Sequence, residues 1–136
     1  LIIYHIRLRN NVDLTPEEVE FTVYLDLALD KMPRYKGNLQ RSVYLGSKSA
    51  TDDFMKAYAI GKIIIYDEYI STTKGAVYNP DADVQIYIVD AESGADISEW
   101  NGGEQEVLYK RGSSFMVLDI QEREGVQYIL LGEVDE

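Results

Sequence analysis

Apolar and polar residues repeat with a helical period at the start of this chain and mainly with a strand period after Gly37. Residues 2–10 read as a short helix that stops at Asn10-Asn11. Thr15-Pro16-Glu17-Glu18 is a helix start: a capping hydroxyl, proline at the first helical position, then acids in the first turn. Val19, Val23, Leu27 and Met32, with Leu25 and Leu29, predict the apolar stripe of that helix, and Pro33 ends it. After Gly37, Leu39, Arg41, Val43 and Leu45 share one strand face, while Gln40, Ser42 and Tyr44 share the other. Residues 51–60 read as a helix capped by Thr51, with Asp52 and Asp53 in its first turn.

The remainder is strands and turns. Ile63 to Tyr66 and Tyr69 to Thr73 read as strands around the acidic turn Asp67-Glu68. Lys74 to Asp83, with Gly75, Asn79 and Pro80, is a loop. Val84 to Val89 alternates and is β-branched, as a strand should be. Ala91 to Gly103 is a polar loop anchored by Ile97 and Trp100. Glu106 to Tyr109 is a strand, Arg111-Gly112-Ser113 a turn, and Ser114 to Gln121 pairs with Val126 to Glu133 across Glu124-Gly125. Helices first and strands after predict an α+β domain over residues 1–136, with two packed, mainly antiparallel sheets.

Composition narrows the chemistry. The chain has 136 residues, enough for one core, and no apolar run near the roughly 20 residues that span a bilayer. It has no cysteine, which excludes disulfides and thiolate zinc sites. One histidine, His5, cannot build a His-rich metal site, so no metal is expected. The chain begins with Leu rather than Met, which reads as a piece of a longer protein whose delivery signals lie in the preceding part. The net charge of −11 is unevenly placed. Residues 1–80 hold ten acids and ten Lys/Arg; residues 81–136 hold fourteen acids and three. An acidic half repels phosphate backbones, which argues against nucleic acid as a partner. It suits a basic protein surface, or serves only to keep the domain soluble.

Three short stretches carry candidate chemistry. Arg41 sits on a face otherwise aliphatic, where a charge needs a buried acid or an anionic ligand. Its planar fork could grip a diphosphate; a strand arginine paired with an acid is the plainer alternative. Ser71-Thr72-Thr73 sets three hydroxyls at a strand end, either to fix a carboxylate's rotamer or as an ordinary Thr-rich strand. Glu104 and Glu106, after Gly102-Gly103, fall on one strand face with backbones about 7 Å apart. Two such acids can divide the work around a glycosidic bond, or merely open an exposed strand. Within Lys74 to Asp83, Tyr78 is available to stack on an aromatic ring or simply to pack.

Taken together and in this order, Arg41, Ser71-Thr72-Thr73 and Glu104-Gln105-Glu106 resemble the Arg, Ser-Thr-Ser and Glu-x-Glu signature of the mono-ADP-ribosyltransferases. The similarity extends to Leu8-Arg9-Asn10 and Leu25 to Leu29 and so covers nearly the whole chain. It implies an enzyme with an NAD+ cleft between two sheets and NAD+ as co-substrate. By resemblance Arg41 binds NAD+, Ser71 supports the catalytic glutamate, Glu106 is that glutamate, and Glu104 orients the acceptor. Ser42, Thr72, Thr73 and Tyr78 join Arg41 around the dinucleotide. Glutamate at 104 implies an arginine acceptor on a target protein, with residues 91–103 as the target-recognition loop. Two departures stand out: Thr73 ends the triplet in place of serine, and Ser42 follows the arginine where many members have glycine.

The resemblance further implies a toxin or effector, secreted or injected and acting in the target-cell cytoplasm, for which a cognate immunity or inhibitor protein would be a natural partner. NAD+ glycohydrolysis, a non-protein acceptor, and a binding module that has lost catalysis are the alternatives.

Overall fold

The computed structural model describes residues 15–75, 77–100 and 104–134. The expected helix at residues 2–10, with His5, lies outside them. Helix α1 (Pro16–Lys31) starts as its sequence dictates. The Thr15 hydroxyl accepts from the Glu18 N–H and the Glu18 carboxylate accepts from the Thr15 N–H, a reciprocal cap that satisfies two donors the helix cannot. Met32, extended ahead of Pro33, ends it.

The helix docks by only half of the expected stripe, Leu25, Leu29 and Met32. Val19, Val23 and Leu27 are each at least half exposed. Leu29 is buried, and Phe21, Leu25 and Met32 pack with it on Tyr69, Ala95 and Leu108. Apolar residues occur on several sides of α1, so periodicity alone left the docked side open. Tertiary partners decide it: the Tyr69 hydroxyl donates to Asp26 (2.5 Å) and Lys110 pairs with Asp30 (2.7 Å).

Strand β1 (Gly37–Val43) leads to helix α2 (Lys48–Met55). The cap of α2 is Ser47, whose hydroxyl accepts from the Ala50 backbone. Thr51 sits inside the helix, its hydroxyl on the Ser47 carbonyl (2.9 Å), so the helix begins and ends earlier than expected. Both residues are cap formers, and the turn at Gly46 (φ +85°) lets the earlier one act. The strands that follow are β2 (Ile63–Ile65), β3 (Ile70–Lys74), β4 (Val84–Ala91), β5 (Ala95–Asp96), β6 (Glu106–Tyr109), β7 (Ser114–Arg123) and β8 (Val126–Glu133). The stretch read as one polar loop, residues 91–103, thus contains β5 and a single 3-10 turn (Ser98–Trp100). Ile97 packs on the α1 cluster as an anchor, whereas Trp100 is 61% exposed.

The expected two sheets are one. The described strands form a single eight-stranded sheet in the order β2-β7-β8-β4-β1-β3-β6-β5, antiparallel except for the β4–β8 pair. This sheet bends until its arms face each other. Tyr109 on β6 stacks edge-on against Phe115 on β7 (5.0 Å), and its hydroxyl reaches Glu133 on β8 (2.5 Å). Leu39, Ile70, Ile86, Ile88, Val107, Ile129 and Leu131 fill the space between. Burying each aliphatic there contributes about 1.5–3 kcal/mol. A pattern of strands predicts that two layers must pack; it does not say whether a turn or a shared strand joins them.

Candidate active site

Strand β1 divides the sheet unequally. It pairs with β4 from Gly37↔Ala91 to Val43↔Val84. With β3 it pairs only at Leu39↔Lys74 and Gln40↔Thr73. Beyond that point the two strands part, and backbone groups there must find other partners. The Ser71 carbonyl finds Arg41, whose Nη1 donates to it (3.2 Å). The Ser71 hydroxyl donates to Glu106 Oε2 (2.5 Å). Three residues distant in the chain are thereby linked: a guanidinium, a serine and a carboxylate. β3 and β6 hold the last two in register, through Ser71↔Leu108 and Thr73↔Glu106.

Arg41 and Glu106 start from opposite strand faces. Arg41 shares the inner face with Leu39 and Val43, opposite Ile86. Near it the Tyr58 and Tyr66 hydroxyls meet (2.7 Å). Burial raises the pKa of both phenols, and the positive charge of Arg41 acts on both in the opposite sense. The parting of β1 from β3 lets the guanidinium reach Ser71 from this side.

The other candidates divide. Thr73 is half-buried on the face of Ser71 and Glu106. Glu104 is exposed just before β6. Thr72 points into the core, with its hydroxyl on the Val107 carbonyl (2.7 Å), and is not brought to this group. Ser42 turns its hydroxyl to Gln85 (2.7 Å) and to the Asn79 backbone (3.0 Å). The ring of Tyr78 is exposed, while its backbone N–H donates to Gln40 Oε1 (2.9 Å).

The sequence reading missed several participants. Lys74 pairs with Asp96 (2.7 Å) and bonds Ser98 (3.1 Å), tying residues 96–98 to the end of β3. Desolvation pushes the Asp96 pKa up, but the bonds from Lys74 and Ser98 outweigh it and the net shift is downward. Gln40, fully buried, and Gln85 were missed as well; a polar residue on a strand's second face was the available signal. A cavity of about 340 Å³ also opens on the outer face, lined by Tyr87, Gln121, Arg123, Tyr128 and Leu130. It centres on β4, β8 and β7, away from Glu106. Among the described residues no cluster of His, Asp and Glu is arranged to hold a metal ion, and no helix is long and apolar enough to cross a membrane.

The model of one family, the ADP-ribosyltransferase exoenzymes, matches residues 15–135. The chain belongs to this family. Tre1 of Serratia proteamaculans (strain 568), an NAD(+)–protein-arginine ADP-ribosyltransferase, is 25% identical over 127 residues, 93% of this chain and 27% of Tre1. The chain therefore spans about a quarter of that relative's length. Among solved structures, the type III effector XopAI from Xanthomonas axonopodis pv. citri has a similar fold (TM-score 0.75, 17% identity, 98% of this chain and 62% of XopAI). So does exoenzyme S from Pseudomonas aeruginosa, in complex with human 14-3-3 protein beta and bound to carba-NAD (TM-score 0.72, 21% identity, 98% and 66%). Family membership and the ADP-ribosyltransferase fold agree with the motif resemblance.

Proposed function

We propose that this domain is a mono-ADP-ribosyltransferase that moves ADP-ribose from NAD+ to an arginine of a target protein. The observation that carries this reading is the linked set Arg41–Ser71–Glu106 at the parting of β1 and β3. Its chemistry suits the dinucleotide: a guanidinium to donate to the diphosphate and a carboxylate to accept from ribose hydroxyls. NAD+ lies along this parting, with Arg41 on phosphate and Glu106 at the nicotinamide ribose. The bond from ribose to nicotinamide breaks with its electron pair on the departing ring, which leaves neutral and needs no acid. Positive charge gathers on the ribose, and Glu106 opposes it. Ser71 keeps that carboxylate in one rotamer, so little reorganisation is needed.

Glu104, exposed ahead of β6, accepts hydrogen bonds from the incoming guanidinium and draws off its proton as the new bond to ribose forms. Residues 91–103, tied down at Asp96 and Ser98, present the target, and the surplus of acids after residue 80 suits a surface bearing arginine. Support for arginine as acceptor comes from the activity named for Tre1. The chain acts as a single catalytic domain of a secreted or injected toxin or effector, with an inhibitor protein as a natural partner; XopAI, a type III effector, supports that setting.

The test is incubation with labelled NAD+ and a mixed lysate, followed by mass spectrometry. ADP-ribose on arginine is the expected result. NAD+ breakdown with no labelled acceptor would replace this reading with glycohydrolysis, and neither binding nor breakdown of NAD+ would end it.

A further inference from the structure

Three side chains on two neighbouring strands converge on the backbone of one loop. Gln40, on β1, is wholly buried; Gln85, on β4, is nearly so; Ser42, beside Arg41, is half-buried. Gln40 Nε2 donates to Gln85 Oε1 (2.5 Å), and the Ser42 hydroxyl donates to the same oxygen (2.7 Å). Gln40 Nε2 also donates to Ser42 Oγ (3.0 Å), and further bonds run to the loop. Gln40 Oε1 accepts from the Tyr78 N–H (2.9 Å), Ser42 Oγ accepts from the Asn79 N–H (3.0 Å), and Gln85 Nε2 donates to the Asn79 carbonyl (2.7 Å). Every amide function of the two glutamines is used. Such a network is stiff because breaking one member leaves buried polar groups unpaired.

Its position gives it a use. Gln40 stands opposite Thr73, and Thr73 opposite Glu106, so one registered row runs from the network to the carboxylate across three strands. Adjacent strands lie about 4.8 Å apart, which puts the Gln40 backbone about 10 Å from that of Glu106. On the function proposed above, a dinucleotide gripped by Arg41 and reaching Glu106 would pass beside the loop these residues hold.

We infer that Gln40, Ser42 and Gln85 form a clamp that sets the Tyr78-Asn79 loop as a wall of the NAD+ site, making them positioning residues for dinucleotide binding. The inference rests on the function proposed above. It also accounts for a serine after the arginine: the side chain is turned to the loop and fills a role in the clamp. The clamp acts on how NAD+ is held, while Glu106 and Ser71 act on the bond that breaks.

NAD+ hydrolysis and chymotryptic cleavage after Tyr78 test this in the parent domain and in Gln40→Ala, Gln85→Ala and the milder Ser42→Ala, which removes one hydroxyl and leaves both buried amides in place. The expected result is a rise in KM for NAD+ of about five- to thirty-fold, the range that losing one or two buried hydrogen bonds gives. kcat should move far less, and cleavage after Tyr78 should be faster. Ser71→Ala should give the opposite split, with kcat falling and cleavage unchanged. Faster cleavage with KM unmoved would overturn the clamp's role in binding and leave the enzyme assignment intact. A parent domain that neither binds nor hydrolyses NAD+ would instead overturn the assignment, and the inference with it.

Discussion

The two sides of β1 are made of the same material and do different things. Towards β4 the strand is paired from Gly37 to Val43, with one irregularity between Gly37 and Leu39. Towards β3 the ladder stops after two register positions, and side chains take over the work of the backbone. Arg41 occupies a main-chain carbonyl there, and Ser71 spends its hydroxyl on Glu106. Continuous pairing yields stability; interrupted pairing yields a place where charged and polar groups from several strands can meet. The lesson is that the site sits where regular structure is given up, held in shape by the regular structure on either side.

Substitutions can break this contrast, beginning with the largest effect. Glu106→Ala should lower both ADP-ribose transfer and NAD+ hydrolysis by about a thousand-fold, the scale for losing a main electrostatic group, as measured by initial rates with labelled NAD+. Glu104→Ala should separate the two activities, cutting transfer by about ten- to a hundred-fold while hydrolysis stays near the parent rate. On the fully paired side, Ile86→Ala should leave the chemistry of the remaining folded protein alone but cost about 2–5 kcal/mol of stability, read by urea denaturation. Arg41→Ala should raise KM for NAD+ by about ten-fold or more, since a charge-assisted contact is worth about 1.5–3 kcal/mol.

The smallest effect concerns the end of β1. Asp83 accepts from the backbone N–H groups of Leu45 (2.6 Å) and Gly46 (3.0 Å), which hold its carboxyl below the usual range. A depressed pKa in the folded state stabilises the fold above the unfolded value, about 3.9, and that gain is lost as the pH falls through the folded value. Asp83→Asn should therefore be less stable than the parent at neutral pH, and the gap should close below about pH 4. Thermal melts across that range would show whether it does.

How much of this was readable in the sequence depends on how local each cause is. The α1 start was legible because the Thr15 cap bonds only three residues ahead. The hairpin at Glu124-Gly125 was legible for the same reason, since both residues take positive φ, which the glycine makes easy. The grouping of Arg41, Ser71 and Glu106 was legible only through motif resemblance. Nothing local says that a serine on β3 will bond a glutamate on β6. Illegible features share a long-range cause. The docked side of α1 depends on Tyr69 and Asp26. The single sheet depends on β4 pairing with β8 and on β1 pairing with both β4 and β3. Gln40 and Gln85 looked like ordinary strand residues because their partners, each other and the Tyr78-Asn79 loop, lie far along the chain or across a loop.

The central claim is that Arg41 and Glu106, linked through Ser71, serve one dinucleotide. A crystal structure of the domain with a non-hydrolysable NAD+ analogue tests it most directly. The account predicts the analogue's diphosphate within hydrogen-bonding distance of the Arg41 guanidinium and its nicotinamide-side ribose hydroxyls on the Glu106 carboxylate. An analogue bound in order elsewhere, or touching one of these residues without the other, would contradict it.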